Sequence, residues 1–579
     1  MNTQDLEGYQ KLLKVTYSLL SNDLFMDGSI DDEDIKQTLS DLQRNMVLLL
    51  TGHLPERITY LASLDPGIGK TQSLCAILKA WKHLQFQPAG SVLVALSTHD
   101  EIRACIDRAD LQEDDFAIVV ARDEPLGTLG RVDRDSAPVL FTTHEQIYRA
   151  AGRGRFEDQS LFHFMGAPRS LRVWDETMLP AKPLTLRLDD IAGLLSDLRP
   201  IAPSAAERVE ELHRTLAESE QGAIVTVPAD IAGGVQALSA LQGAMADRWH
   251  LLCALAGRQA VVTRCNSRGV QLVSARDRIP ADFAPVLVMD ASGRARHTYR
   301  LQEEMQGNLV RLPAATRSYR NLTVHHWDRG ASRSTFEDRR SSDERTRVLD
   351  AVASTINASP ADEEWLIVYH KPRSAQLDTA AALRSMVSNP DRVKFLNWGR
   401  HHGTNAFREV RNVIILGLWH YSEAVYTGLA IAASGDAGAL GELRDIEAGE
   451  HSHNLLQAIC RASVRAGRGS ECGHCTAYVI GKAGQDTKAL LAETFPGCVV
   501  HDWQPVVPKL RGAAQRVTEE LERRFAAPGV RMVPKGELRD AVDLSSSQAL
   551  AKVLRSDAVR HWMVANDIAQ DRHTVIRAA

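Results

Sequence analysis

Short apolar runs rich in β-branched residues recur along the chain in two series, most of them followed by a stretch with helical spacing. The first series comprises ITYLAS (58–63), SVLVALS (91–97), FAIVVA (116–121), PVLFTT (138–143), LRVWDE (171–176) and, further on, PVLVMDA (285–291). The second comprises WLIVYH (365–370), VKFLNW (393–398), VRNVIILGLW (410–419) and TAYVIG (476–481). Such runs suit strands covered on both faces, so the pattern predicts mostly parallel sheets with helices packed against them. A chain of 579 residues also exceeds the roughly 250–300 residues that one core usually serves, and several domains are expected.

The boundaries follow from where the pattern changes. Residues 1–50 read as a helical lead-in, with Leu42, Met46, Leu49 and Leu50 at helical spacing. A first α/β lobe is expected over 51–325, interrupted at about 180–280 by an insert whose segments, among them AAERVEELHRTLAE, are mostly helical in pattern. The charged, turn-rich stretch DRGASRSTFEDRRSSDERTR (328–347) reads as a hinge, and a second α/β lobe as 335–500. Residues 505–579 are mildly basic and read as a small C-terminal unit, either winged-helix-like or a packing appendage.

Composition excludes classes more than it selects them. Hydrophobic and charged contents of 44% and 24% are those of a globular protein, and a net charge of −5 means that any attraction to nucleic acid must be local. No run approaches 18 apolar residues, and the start MNTQDLEGYQ lacks the order of a signal peptide, so a cytoplasmic protein without membrane contact is expected. The eight cysteines read as reduced thiols. Cys472 and Cys475 alone have ligand spacing, and only His451 and His453 offer a second pair, so two thiols in a turn is the preferred reading over a zinc site. Cys253 and Cys265 stand alone in the insert, without a four-cysteine iron–sulfur pattern.

Two stretches carry phosphate chemistry. LDPGIGKT (64–71) lies between an apolar run and an amphipathic stretch, and lacks only the first glycine of the phosphate-loop pattern, where Leu64 stands. Gly67 and Gly69, flanked by Pro66 and Ile68, let backbone N–H groups turn toward an anion, Lys70 brings a point charge, and Thr71 offers a hydroxyl to magnesium. RVWDET (172–177) ends an apolar run in adjacent carboxylates, where Asp175 suits magnesium and Glu176 suits polarising an attacking water.

In order along the chain, LDPGIGKT, VALSTHDEI, FTTHEQI, RVWDET, VLVMDASG, LNWGRHHGTNAF and QAICRASVR resemble the motif series of superfamily 2 helicases and translocases of the DEAD/DEAH type. The resemblance implies two RecA-like lobes with ATP and magnesium in the cleft between them and nucleic acid crossing both, DNA being preferred here to RNA. It places Thr98, His99 and Thr143 on the nucleic-acid backbone, and Gly403, Thr404 and Asn405 on both nucleic acid and nucleotide. Ser292, in MDASG, falls in the motif that couples hydrolysis to strand movement. Gln457, Arg461 and Arg465 would reach the ATP phosphates, with Arg461 the arginine finger. Cys460 replaces the usual glycine and Arg465 falls one position late, but four apart on a helix the two arginines would share a face. The implied activity is an ATP-hydrolysing helicase or translocase. An ATPase that remodels complexes or serves a defence or restriction system without separating strands, and a binding protein merely switched by nucleotide, are the alternatives.

Overall fold

The structure, a computed structural model, describes all residues except 1–2, 25–29, 84–89, 152–153, 180, 233–240, 266–268, 373–377, 400–405, 485, 506–509 and 578–579. The chain forms two compact units, one of Met1–Ser342 with Pro360–Asp502 and one of Asp343–Ser359 with Trp503–Ala579.

The first unit contains two parallel sheets. In the seven-stranded sheet the order is Leu309–Arg311, Thr59–Ala62, Val286–Met289, Leu171–Asp175, Val92–Leu96, Val139–Thr143 and Phe116–Val119. All six apolar runs of the first series are in it. Its inner strands are buried along nearly their whole length, as expected of a sheet covered on both faces. The helix Glu33–Leu50 buries Leu42, Met46, Leu49 and Leu50 together with the helix Lys70–His83, so the N-terminal segment is part of this lobe's core.

The six-stranded sheet runs Val393–Asn397, Trp365–Tyr369, Asn412–Leu416, Cys475–Ile480, Leu322–Trp327 and Val499–Asp502, again all parallel. Its strand Leu322–Trp327 precedes the charged stretch 328–347 and has alternating burial, with His325 half-exposed, which kept it out of the apolar series.

The insert is more than helical. Helices Leu188–Ile201, Pro203–Glu218 and Ala244–Leu255 cover one face of a four-stranded antiparallel sheet ordered Ala181–Arg187, Gly269–Asp277, Gln259–Cys265 and Ile224–Thr226. These strands alternate apolar residues with Arg, Gln, Thr and Ser, so they lack the continuous runs that mark the parallel sheets. The other face, through Val261, Val273 and Ala275, packs on Ala424, Ile431 and Ala432 of the helix Glu423–Ser434 from the second lobe. A Cβ on Gly428 would lie 2.5 Å from the Pro183 Cβ, so glycine is what permits that approach.

In the second unit, helices Ala513–Phe525, Lys535–Ala541, Ser547–Leu554 and Asp557–Ala565 share a core of Val517, Leu521, Leu538, Leu550, Leu554 and Val559. A three-stranded antiparallel sheet, ordered Met532–Pro534, Thr574–Arg577 and Ile568–Gln570, belongs to the same unit. The helix Ser342–Ala358 supplies the unit's other segment. Among the described residues no helix is long and apolar enough to cross a membrane.

Candidate functional site

The strand Thr59–Ala62 delivers the chain to the loop 64–69, where Gly67 and Gly69 adopt φ of +83° and +118° that only glycine takes without strain. The helix Lys70–His83 starts directly after it, with Ile68 buried beneath the turn and Pro66 on the cavity wall. The Lys70 ammonium folds back on the loop and donates to the Leu64 and Asp65 carbonyls. Desolvation lowers its pKa to about 8, against the opposing pull of Asp175 and Asp65.

Asp175 ends the strand Leu171–Asp175 and lies within reach of Thr71, whose Oγ1 donates to Asp175 Oδ2 at 3.4 Å. Burial pushes the Asp175 carboxyl up to about 7, and the neighbouring Glu176 and Glu101 carboxylates add to the rise, while Lys70 and Arg465 oppose it. Thr71 with Asp175 is a hydroxyl–carboxylate pair of the kind that could hold a magnesium ion. Glu176 sits at φ +73°, left-handed backbone that is unusual for a glutamate, with its N–H donating to the Met289 carbonyl at 3.1 Å. That bend turns its carboxylate into the cavity, where Oε2 accepts from Ser97 Oγ at 3.1 Å.

From the second lobe Arg461 meets the same carboxylate: its Nη2 lies 3.4 Å from Glu176 Oε1 and donates to Gln457 Oε1 at 2.8 Å. Arg465 lines the same cavity of about 530 Å³ as Lys70, Asp175 and Glu176. Burial and the neighbouring Arg461 lower its pKa. The expectation that both arginines ride one helical face is corrected by the structure. The helix Leu443–Ile459 ends before them, Ala462 is extended, and Ser463 is tied to the Val410 and His474 carbonyls, so the arginines leave on a turn. Both reach the cavity by that route, and the turn makes room for their unusual spacing.

Several contacts join the site to distant parts of the chain. Asp65 is fully buried and accepts from Arg294 Nε at 3.1 Å, the Arg317 N–H at 3.0 Å and Tyr319 OH at 2.8 Å, tying the phosphate loop to the segment that enters the second lobe. Arg317 donates to the Gly67 carbonyl at 2.9 Å and the Arg465 carbonyl at 3.3 Å, bridging the phosphate loop and the arginine turn. Ser292 donates to Asp290 Oδ1 at 2.6 Å and sits 2.7 Å from His453 Nδ1. With its single proton on Asp290, the serine oxygen accepts from the histidine, so this inter-lobe contact sets the His453 tautomer.

The nucleic-acid candidates are placed less directly. Thr98 caps the helix His99–Arg108 in a reciprocal arrangement with Glu101, so its hydroxyl is engaged within the protein. His99 lies 3.5 Å from Glu124, and Thr143 is partly exposed at the end of its strand. Gly403, Thr404 and Asn405 lie outside the described residues. Cys472 and Cys475 are buried free thiols, while His453 faces Ser292 and His451 faces His420 at 3.1 Å. Among the described residues neither cysteine belongs to a cluster of three ligand side chains.

No protein-family model and no curated protein matches the sequence. Among solved structures, S. tokodaii Xpd4 is similar at 11% identity with a TM-score of 0.44, over 80% of this chain and 100% of that one. S. cerevisiae Dbp5 bound to RNA and ADP BeF3 is similar at 9% identity and a TM-score of 0.37, over 83% and 95%. The Escherichia coli DEAH/RHA helicase HrpB gives 10% identity and a TM-score of 0.35 over 92% of this chain and 51% of that one. The two parallel sheets form two RecA-like lobes, with the phosphate loop and Asp-Glu pair on the first and the arginine turn on the second.

Proposed function

We propose that the chain binds ATP with magnesium between its two lobes and hydrolyses it in response to nucleic acid, as a helicase or translocase. The observation that carries this reading is the approach of Arg461, from the second lobe, to Glu176, the carboxylate beside the candidate metal ligand. A nucleotide-switched binding protein needs neither a water-polarising carboxylate nor an arginine from the other lobe.

The residues divide the work. The loop amides around Gly67 and Gly69 cradle phosphate oxygens, and Lys70 exchanges its carbonyl partners for them. Thr71 and Asp175 would hold magnesium, whose charge offsets that of the phosphates when bound. Glu176 exchanges Arg461 for a water and takes its proton, which frees the guanidinium for the γ-phosphoryl oxygens, with Gln457 holding its direction.

Phosphate release measured with and without single-stranded nucleic acid is the deciding experiment. Stimulation supports the motor reading, and release at the spontaneous rate in both conditions overturns it. DNA is the first choice, and stimulation by DNA against RNA of equal length decides between them. A strand-displacement assay then separates a helicase from a remodelling or defence ATPase.

Glu176→Gln is expected to retain nucleotide affinity within about threefold while lowering hydrolysis by about a hundredfold or more, because the amide keeps the shape and cannot accept a proton. Equal losses of affinity and rate would mark the residue as structural. Nucleic-acid affinity is expected to fall steeply with salt, with a log–log slope steeper than about −2, since each released counterion from single strands contributes about −0.7. A flat dependence would point to protein remodelling instead.

A further inference from the structure

On the second lobe, apart from the nucleotide cleft, three side chains converge with nothing in the proposed hydrolysis to explain them. Glu447 and His451 lie one turn apart on the helix Leu443–Ile459, four positions that put them on one face. His420 comes from the loop after the strand Asn412–Leu416. That loop is well fixed: Gly417 holds φ +88° where a Cβ would overlap the Ala331 carbonyl, its N–H donates to the Ile480 carbonyl at 3.0 Å, and the Tyr421 N–H donates to Tyr426 OH at 3.1 Å.

One donor atom from each of the three residues lies within 4.8 Å of the other two. His451, almost fully buried, turns Nε2 to within 3.1 Å of His420 Nδ1, and Glu447 Oε1 stands 4.0 Å from that same nitrogen, beyond hydrogen-bond distance. Donors held at about 2.0–2.1 Å around a tetrahedral ion stand about 3.3 Å apart, so these separations bracket the edge of such a site. Gly484 approaches from the loop after the strand Cys475–Ile480, and a Cβ there would lie 3.1 Å from a Glu447 oxygen, so glycine keeps the carboxylate's position clear.

We propose that His420, Glu447 and His451 form a binding site for a divalent transition-metal cation of the zinc class. Two imidazoles and one carboxylate favour zinc over magnesium or calcium, which take oxygen ligands. Three protein ligands leave a fourth position for water. The ion would staple the loop after Asn412–Leu416 to the helix that leads into Gln457 and Arg461, and so hold the second lobe's contribution to the cleft.

The test uses the full chain without a polyhistidine tag, stripped by chelator and titrated with zinc and with cobalt(II) as a spectroscopic probe. The wild type is expected to bind one equivalent at micromolar or tighter affinity, with cobalt bands of a four- or five-coordinate nitrogen–oxygen site. Zinc is expected to raise its melting temperature. His420→Ala is expected to lose that equivalent and the thermal shift, Glu447→Gln to weaken binding at least tenfold, and His297→Ala, in the more exposed cluster with Glu442 and Asp445, to bind as wild type. No binding, binding unchanged in both His420→Ala and Glu447→Gln, or thiolate charge-transfer bands that report cysteine ligands would overturn the proposal. None of these readouts depends on ATP hydrolysis.

Discussion

Lys70→Ala is expected to bring ATP hydrolysis down to background, a loss of at least a thousandfold, or about 4 kcal/mol of transition-state stabilisation at 1.36 kcal/mol per decade. Lys70 is the only cation on the phosphate loop itself, and the carboxylates of Asp175 and Glu176 face the same cavity. Without the ammonium the loop offers an incoming triphosphate only its amides beside two acids, and Arg461 and Arg465 reach the cavity from the second lobe, so affinity falls together with rate, in contrast to Glu176→Gln. The fold should survive, because Lys70 donates only to the carbonyls of Leu64 and Asp65 and its desolvation already disfavours the charge. A melting temperature close to wild type therefore accompanies the loss. Turnover within about tenfold of wild type, in a folded variant, would show that LDPGIGKT is a turn without phosphate chemistry.

What could be read without coordinates followed burial. Strands covered on both faces, among them Val92–Leu96, Val139–Thr143 and Asn412–Leu416, announce themselves as apolar runs. The insert's strands and Leu322–Trp327 keep polar residues at alternate positions, and a reader tuned to continuous runs passes over them. At the site, Gly67, Gly69, Lys70, Thr71, Asp175 and Glu176, singled out by local spacing, line one cavity, so their convergence was legible. Residues whose role depends on distant partners were not. Asp65 lies inside LDPGIGKT with no part in its phosphate pattern, yet its carboxylate gathers Arg294, Arg317 and Tyr319 from more than two hundred positions away. Thr98 reads as a free hydroxyl and is a helix cap, and the helical spacing of Arg461 and Arg465 belongs to a helix that has already ended.

That broken helix makes the second large effect a sharper test. Arg461→Ala is expected to lower kcat by about a hundredfold or more, some 2.7 kcal/mol, with little change in ATP affinity, as for a finger that acts on charge developing in the transition state. Arg461 is buried and its Nη2 touches two partners, Gln457 at 2.8 Å and Glu176 at 3.4 Å. The guanidinium is thus already aimed into the cavity and gives up little side-chain freedom when it engages phosphate. Arg461→Lys should recover only part of the loss, since an ammonium cannot keep the Gln457 contact and reach a phosphoryl oxygen with the same planar fork. Arg465→Ala separates the two arginines. Its backbone carbonyl, which accepts from Arg317, remains in the variant, so any loss of rate reports the side chain rather than the inter-lobe bridge. If Arg461→Ala and Arg465→Ala both hydrolyse ATP at the wild-type rate, the turn after Leu443–Ile459 is a packing element, and the second lobe takes no part in the chemistry.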